Sequence, residues 1–206
     1  MSTSSKHQGP ARLASLWLAA VVAACGGGGG SDAPAPSADA AAPAPVPAPA
    51  PPSPAPPSAD ANCALPDFAA SALARVNQLR AAGADCGASG RFAPAGALAW
   101  NTQLAAAATA HSLDMVANNF FSHTGSNGST MRSRVEATGY AWSGLGENIA
   151  AGYGTVNSVI EGWIGSDGHC ANLMNPNFTQ LGVACVKGTA ANRYGNYWTM
   201  DLARPR

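Results

Sequence analysis

Apolar residues recur at helical spacing through the middle of this chain and alternate as in strands towards its end. In the clearest case Leu104, Ala108 and Met115 fall on one face of a predicted helix, and Asn101 is suited to cap its first turn. The predicted helices are 66–82, 102–118, 129–138 and 156–163. The predicted strands are 181–185 and 197–202, with 144–154 as a strand or an extended loop and a polar loop before residue 181. The order of the elements, with helices first and a strand pair last, predicts an α+β domain in which helices cover a small antiparallel sheet.

The N-terminus has the layout of a secretory signal. Two basic residues precede the apolar run 13–24, which would span only about 18 Å as a helix and is too short to cross a bilayer. Residues 22–25 (VAAC) resemble the lipobox of bacterial lipoproteins, in which the cysteine becomes the lipidated first residue. We therefore expect a signal peptide at 1–24 and lipidation of Cys25; the alternative is an ordinary signal with an incidental cysteine. By resemblance to Gram-negative lipoproteins, Gly26 rather than Asp after this cysteine favours the outer membrane.

A spacer separates this anchor from the folded part. Eleven of the 16 prolines lie between residues 34 and 57, and the Ala/Pro tract 33–59 favours extended polyproline II. About thirty such residues reach roughly 90 Å. We assign 25–62 to the lipidated cysteine and its tether, and 63–206 to one domain, which we expect to be a monomer.

The charge balance of the predicted domain excludes one broad class of function. From residue 63 onward there are nine Lys or Arg and eight Asp or Glu, with no basic stripe. Such a surface does not attract a polyanion, so we expect no nucleic-acid partner. The chain also lacks a phosphate-binding loop, a dinucleotide fingerprint, a G-x-S-x-G elbow and an H-E-x-x-H motif.

Cysteine usage agrees with export. Four cysteines remain beyond Cys25, an even number that is typical of disulfides in an oxidising compartment. Three pairings are possible. We favour the two local ones, Cys63–Cys86 and Cys170–Cys185, because each brackets one predicted unit.

Histidine and glutamate are scarce in the predicted domain, with three of each. His123 and His169 lie in segments dense with Gly, Ser and Asn, and Glu147 lies between them in sequence. Two imidazoles and a carboxylate can hold a divalent metal with positions left open, and a His–Glu pair can also act as a general base. His111 falls on the apolar face of its helix, where we expect a core or edge histidine with a hydrogen-bond partner.

Several segments in order resemble the motifs of one family. They are VNQLR (76–80), ALAWNTQLAAAATAHSLDM (97–115), FFSHTG (120–125), GENIAAG (146–152), VIEGWIGSDGHCANLMNPNFTQLGVAC (159–185) and a final YW (197–198). Together they are similar to the CAP superfamily, also called SCP (cysteine-rich secretory, antigen 5, pathogenesis-related 1), and closest to its short bacterial members. The resemblance implies a three-layer α-β-α sandwich with a central antiparallel sheet and a surface cavity.

In eukaryotic members that cavity is lined by two histidines and two acidic residues and can hold a divalent metal such as zinc. By motif, His123, Glu147 and His169 take three of the four places. Ser166 stands where the second acid is expected, and we do not expect Asp167 or Glu161 to compensate.

Other residues in and near these motifs have expected supporting roles. Asn77 and Arg80 are expected to bond backbone and carboxylates between layers, and Asn148 to hold Glu147. Three tryptophans are expected in the core, and three further aromatic residues at the cavity rim: Trp100, Trp163 and Trp198 for the core; Tyr140, Trp142 and Tyr153 for the rim.

Three functions are compatible with these residues. The leading hypothesis is a non-catalytic binding module at the cell surface, with a small apolar molecule, a cell-envelope component or a protein as ligand. The second is a hydrolase, a peptidase for example, which is either metal-dependent or uses Ser166, His169 and Glu147 together, although Ser166 could instead cap the turn that presents His169. The third is a structural domain whose His–Glu–His network only ties loops together.

Overall fold

The structure, a computed structural model, describes residues 61–206. The predicted signal peptide, the lipidation of Cys25 and most of the predicted tether lie outside these residues. Within residues 61–206 no helix has both the length and the apolar character needed to cross a membrane.

Helices and strands occupy most of the described chain. The helices are α1 (Phe68–Ala82), α2 (Thr102–Ala117), α3 (Met131–Ala137), α4 (Val156–Ile164) and α5 (Asp167–Met174). The strands are β1 (Ala84–Asp85), β2 (Arg91–Phe92), β3 (Ala99–Trp100), β4 (Trp142–Ala151), β5 (Gln180–Lys187) and β6 (Asn196–Pro205). The short strands β1 and β2 form an antiparallel pair of their own, joined by a 3₁₀ turn at Gly87–Ser89.

The main sheet has the strand order β3-β5-β6-β4. Its long strands pair antiparallel, as predicted, while the two-residue edge strand β3 pairs parallel with β5. One transverse row of the sheet runs from Cys185 through Trp198 to Ala150, and Asn62 forms an isolated parallel bridge with Cys185 at the end of that row. A second row places Glu147 of β4 opposite Asp201 of β6.

Helices cover both faces of this sheet, which confirms the predicted three-layer sandwich. On one face α1, α4 and α5 enclose the larger core with Trp163 and Trp198 inside and Trp100 packed against it. On the other face α2 and α3 cover a smaller core around Leu104 and Val135. Gly182 lets α2 approach, because a Cβ at this position would overlap the backbone of Leu104 and Ala105.

Local capping explains where the helices begin. The Asn101 side chain accepts hydrogen bonds from the backbone N–H groups of Gln103 and Leu104, as predicted. Capping boxes precede α3 at Thr130 and α4 at Thr155, so the cap of α3 lies one residue after the predicted cap at 129.

Helix α5 was not predicted. Residues 163–181 read as a polar loop, yet Asp167–Met174 is helical and buries Cys170, Leu173 and Met174. Only one side of this short helix is apolar, and its Gly and Asn residues have low helix propensity, so its packing rather than its sequence stabilises it.

The predicted disulfide pairing is wrong. The bonds join Cys63 to Cys185 and Cys86 to Cys170, with sequence separations of 122 and 84 residues, instead of Cys63–Cys86 and Cys170–Cys185. The reason is tertiary: the segment at Asn62 lies beside β5, and α5 lies against the turn that joins β1 and β2. That two cysteines lie at either end of one predicted unit does not indicate which distant segments pack against them.

Arg80 and Asn77 join the layers, as expected, but through backbone alone. The buried guanidinium donates to four carbonyl oxygens, those of Gly96, Leu173, Asn175 and Phe178. The Asn77 amide both donates to and accepts from the backbone of Leu98. The carboxylate partners that we expected are absent from the hydrogen bonds of the described residues.

Candidate functional site

The predicted pair of His123 and Glu147 forms a direct contact. His123 comes from the loop between α2 and α3, and its Nδ1 lies 2.7 Å from Oε1 of Glu147 on β4. The other carboxylate oxygen accepts a hydrogen bond from Arg134 on α3 at 2.6 Å. The histidine side chain is 58% exposed, whereas the Glu147 side chain is only 3% exposed. Hydrogen bonds to His123 and Arg134 therefore fix the Glu147 carboxylate, and the first of these orients the His123 imidazole.

Arg134 also anchors the loop that carries His123. Its guanidinium donates to the backbone oxygens of Ser129 and His123, and its side chain is 7% exposed. No role was predicted for this arginine from the sequence. A charged side chain that follows a turn-rich segment is not enough to predict that it folds back onto that segment.

The electrostatics of the site depend on a second buried carboxyl group. Burial alone would raise the pKa of Glu147, but the hydrogen bond from His123 and the charge of Arg134 together lower it. Asp201, opposite Glu147 in the sheet, is fully buried, and neither of its oxygens has a hydrogen-bond partner among the described residues. Its burial, reinforced by the negative charge of Glu147, raises the pKa of Asp201 well above its usual value. The pKa values of these two neighbouring carboxyl groups are thus shifted in opposite directions.

His169 lies on α5 rather than in the predicted loop. Its Nδ1 is 3.1 Å from the hydroxyl oxygen of Ser166. Ser166 is the N-cap residue of α5, but its side chain makes no capping hydrogen bond, so it bonds the imidazole instead of the helix backbone. Burial and the nearby His123 lower the pKa of His169, which favours the neutral imidazole.

Two asparagines connect the halves of the site. Asn148 on β4 donates to the backbone oxygen of His169, and Asn172 on α5 donates to the Asn148 side-chain oxygen and to the Glu147 backbone oxygen. Asn148 was expected to hold Glu147 in place; it holds the backbone of His169 instead. Asn172 was not singled out from the sequence, because helix α5 itself was not predicted.

A cleft of about 300 Å³ opens beside His169. It is lined by the buried residues Ile149, Ala150 and Trp163, by the more exposed aromatic walls Tyr153, Phe121 and Tyr194, and by Ser166 and His169. Among the described residues that line this aromatic cleft, none carries a permanent charge. A separate hollow of about 320 Å³ lies beside His123 and Glu147 and is lined further by Thr124, Thr130 and Met131.

Of the three aromatic residues expected at the rim, only Tyr153 lines the aromatic cleft. Tyr140 is buried against α2 and α3, and its hydroxyl donates to Gln180. Trp142 packs on the same side and donates to Glu136. Phe121 and Tyr194 were missed, because nothing in their local sequence distinguishes a cleft wall from an ordinary exposed aromatic.

His111 is the buried histidine that we expected on α2. Its Nε2 lies 2.9 Å from the backbone oxygen of Ser122, which places the ring proton on Nε2 because a carbonyl oxygen only accepts. Burial lowers its pKa. His111 thus anchors the loop just before His123.

The expected ion site does not form from these side chains. Among residues 61–206, no three His, Cys, Asp or Glu side chains are arranged to hold a metal ion. Glu147 directs both oxygens to His123 and Arg134, so it serves as a partner of the imidazole and not as a third ligand. Asp167 accepts from the Ala88 N–H, and Glu161 pairs with Arg75, so neither supplies the missing acid. The residues present do not fit a three-ligand zinc site.

Comparison with known proteins identifies relatives for most of the described domain. Residues 73–202 match the family model described as CAP, the cysteine-rich secretory protein family. Among curated proteins, the uncharacterized protein YkwD of Bacillus subtilis is 35% identical over 99 residues, which is 48% of this chain and 36% of the relative. The uncharacterized membrane protein YlbC of Bacillus subtilis is 38% identical over 101 residues, 49% of this chain and 29% of the relative. The matched part thus spans only about a third of either relative.

Solved structures with a similar arrangement were also found. An extracellular protein containing an SCP domain from Bacillus anthracis has 35% identity and a TM-score of 0.46, covering 53% of this chain and 34% of that one. An outer surface protein from Borrelia burgdorferi has 20% identity and a TM-score of 0.49, covering 54% of this chain and 80% of that one.

Proposed function

We propose that this chain, which belongs to the CAP family of cysteine-rich secretory proteins, is an exported binding module whose ligand occupies the aromatic cleft. The observation that carries the proposal is the cleft itself, with neutral aromatic walls and the hydrogen-bonded Ser166–His169 pair in its lining. A largely apolar pocket with a few convergent polar groups is the usual form of a small-molecule site. A small apolar molecule, or an uncharged part of a cell-envelope component, matches that lining.

Exposure supports the choice of this surface. Of the described residues, the exposed large apolar side chains are Leu113, Phe121 and Tyr153, and two of these three line the cleft. Exposed aromatic residues that gather in one concave patch are typical of a binding surface, whereas a single one is ordinary.

We further propose that the domain works outside the cytoplasm, held to the cell envelope by a lipid on Cys25, with the outer membrane of a Gram-negative bacterium as the expected site. Two disulfides in one domain are typical of an oxidising compartment. Intact-mass measurement of the protein from its native membrane tests the anchor. A diacyl-lipid mass increment on a chain that starts at Cys25 supports it, and an unmodified N-terminus contradicts it.

The binding proposal is tested by titrating the full chain in lipid nanodiscs. The probes are a fluorescent short-chain apolar ligand and soluble glycan fragments of the bacterial envelope. Tyr153→Ala should weaken binding of any probe that the wild type binds, because it removes one wall of the cleft. Leu113→Ala is the matched control, since Leu113 is similarly exposed (44%) but does not line the cleft. Equal loss in both variants, or no loss in Tyr153→Ala, would contradict the assignment of this cleft.

One contact favours a second candidate, a hydrolase. The hydroxyl of Ser166 lies within hydrogen-bond distance of Nδ1 of His169, as a nucleophile and its base must. The carboxylate that would complete a triad, Glu147, bonds His123 instead. Ser166→Ala should abolish any peptidase or esterase turnover of the full chain, and unchanged turnover would exclude this role.

A further inference from the structure

We propose that the aromatic cleft binds a neutral sugar ring that carries an N-acetyl group, an N-acetylhexosamine. The inference rests on the proposed function, since it names the chemical class of ligand for the same site. The lining combines aromatic rings, hydrogen-bonding groups and small buried apolar residues. A ligand of this class presents a complementary part to each of these three surfaces.

The polar groups of the lining disfavour a purely hydrocarbon ligand. His169 uses Nδ1 to bond Ser166, so Nε2 of its ring has no partner among residues 61–206. Among the same residues only the backbone of Tyr153 is hydrogen-bonded, and the hydroxyl of Tyr194 has no partner either. A hydrocarbon that covered such a group would remove its water and offer no hydrogen bond, which lowers affinity by about 5- to 150-fold for each group. The hydroxyl groups of a sugar replace that water.

The aromatic rings suit the remaining face of a sugar. Phe121 is 43% exposed and Tyr153 36% exposed, and the Phe121 ring meets Tyr194 edge-on with a centroid distance of 5.8 Å. A pyranose ring has a face of C–H groups with slight positive charge, and the face of an aromatic ring is negative. Such a sugar therefore packs flat on an aromatic side chain while its hydroxyl groups reach hydrogen-bonding partners around it.

Charge and size narrow the class of sugar. No described residue that lines the cleft carries a permanent charge, so a neutral ring binds without leaving a charge unpaired. The volume of about 300 Å³ lies at the lower end of the range for small-molecule sites, about 300–1,000 Å³. Buried Ile149 and Ala150 offer contact to a methyl group, and Ser166 and His169 offer partners to an amide. An N-acetyl group supplies both.

The most exposed tyrosine of the cleft is held in place before anything binds. The Tyr153 backbone oxygen accepts hydrogen bonds from the Trp198 indole and the Asn196 amide. Its ring lies over Gly162 on α4, where a Cβ would overlap the phenol. A ring fixed in this way loses little further freedom when a sugar packs on it, which favours binding.

Removal of one hydroxyl group separates a sugar from an apolar ligand. Saturation-transfer NMR titrations of the full chain in lipid nanodiscs measure Kd for the methyl glycosides of N-acetylglucosamine and N-acetylgalactosamine. Tyr153→Phe should weaken binding about 5-fold, because one hydrogen bond is lost while the ring face stays. Tyr153→Ala should weaken it further. Tyr197→Phe is the matched control, since it removes the same group from a fully buried residue outside the cleft lining and should leave Kd unchanged.

Three results would overturn the proposal. They are no binding of either N-acetylated probe, binding that Tyr153→Phe leaves unchanged, and equally tight binding of methyl glucoside, which lacks the N-acetyl group. The fluorescent apolar ligand provides the contrast, because Tyr153→Phe should not weaken its binding. If that ligand binds and depends on Tyr153 while neither sugar binds, the assignment of the cleft stands and only the sugar is wrong.

The sugar could come from a glycan chain of the cell envelope or be free in solution, and chain length distinguishes these sources. The linear tetramer of N-acetylglucosamine is titrated beside the single ring. Binding of the tetramer beyond the gain from its four rings supports a glycan chain. Equal affinity per ring supports a free or terminal sugar.

Discussion

Arg134 offers a sharp test of how the site is held together. In Arg134→Met the side chain keeps most of its length and apolar contact but loses its charge and its donors. Glu147, whose side chain is 3% exposed, would then remain buried, and His123 would be the one hydrogen-bond partner left to its carboxylate among residues 61–206. Removing one member of a buried ion pair costs about 3–5 kcal/mol, because the other charge is left without compensation.

The surroundings justify the full magnitude. The side chains of Arg134 and Glu147 are 7% and 3% exposed, so solvent screens the pair little. The bonds from Arg134 to the loop add little, because the carbonyls of Ser129 and His123 lie near the surface and regain water when released. Against a total stability of about 5–15 kcal/mol, the expected loss is large.

Arg132 on the same helix is the matched control. It is exposed and lies over the Trp142 ring at 4.9 Å, a contact worth less than about 1 kcal/mol. Urea unfolding of the full chain and the two Arg→Met variants at pH 7 measures both losses. A loss in Arg134→Met no larger than that in Arg132→Met would refute the reasoning, and so would unchanged NMR signals of His123.

Three further outcomes are expected. Peptide mapping of the non-reduced protein should recover Cys86 linked to Cys170; a peptide linking Cys170 to any other cysteine would contradict the fold near α5. Zinc calorimetry on the full chain should show no stoichiometric site, since no three ligating side chains among residues 61–206 are arranged to hold an ion and Glu147 already bonds His123 and Arg134; a one-to-one isotherm lost in both His123→Ala and His169→Ala would contradict this. Burial raises the pKa of Asp201 in the folded chain. Above the unfolded pKa of about 3.9, the unfolded chain has released a proton that the folded chain still holds. The free energy of unfolding therefore falls as the pH rises through the folded pKa. Asp201→Asn should remove this decline in urea unfolding between pH 4 and 7, and an unchanged pH slope would show that Asp201 ionises normally.

The sequence predicted correctly those elements that depend on local signals, such as a capping residue or a regular spacing of apolar residues. Helix α2 was recognised because its cap, Asn101, and its apolar spacing agree. Helix α5 was missed because it is short and stabilised by contacts of Cys170 and Leu173 with distant parts of the chain. The disulfide pairing failed for the same reason, since a covalent partner over a hundred residues away is a property of the fold.

The candidate site shows the same limit. Composition singled out His123, Glu147 and His169, and the family resemblance placed them around one cavity, yet neither specified the bonds between them. The contact of His123 with Glu147 depends on where β4 lies, and the contact of Asn148 with His169 depends on α5. Arg134 and Asp201 act through burial, and burial of a charged residue is not visible in its own sequence neighbourhood.

The two histidines therefore have different roles in the same site. His123 is bound to a buried Glu147–Arg134 pair, an arrangement that fixes a loop whether or not anything binds. His169 lines the cleft from helix α5, which the neighbouring disulfide at Cys170 holds in place, so its position does not depend on a ligand either. If the cleft binds a ligand as proposed, selection among ligands would fall to its aromatic side chains, Tyr153, Phe121 and Tyr194. Substitutions in those rings should change which ligand binds and leave stability nearly unchanged. Substitutions of Glu147 or Arg134 should lower stability and leave the choice of ligand nearly unchanged.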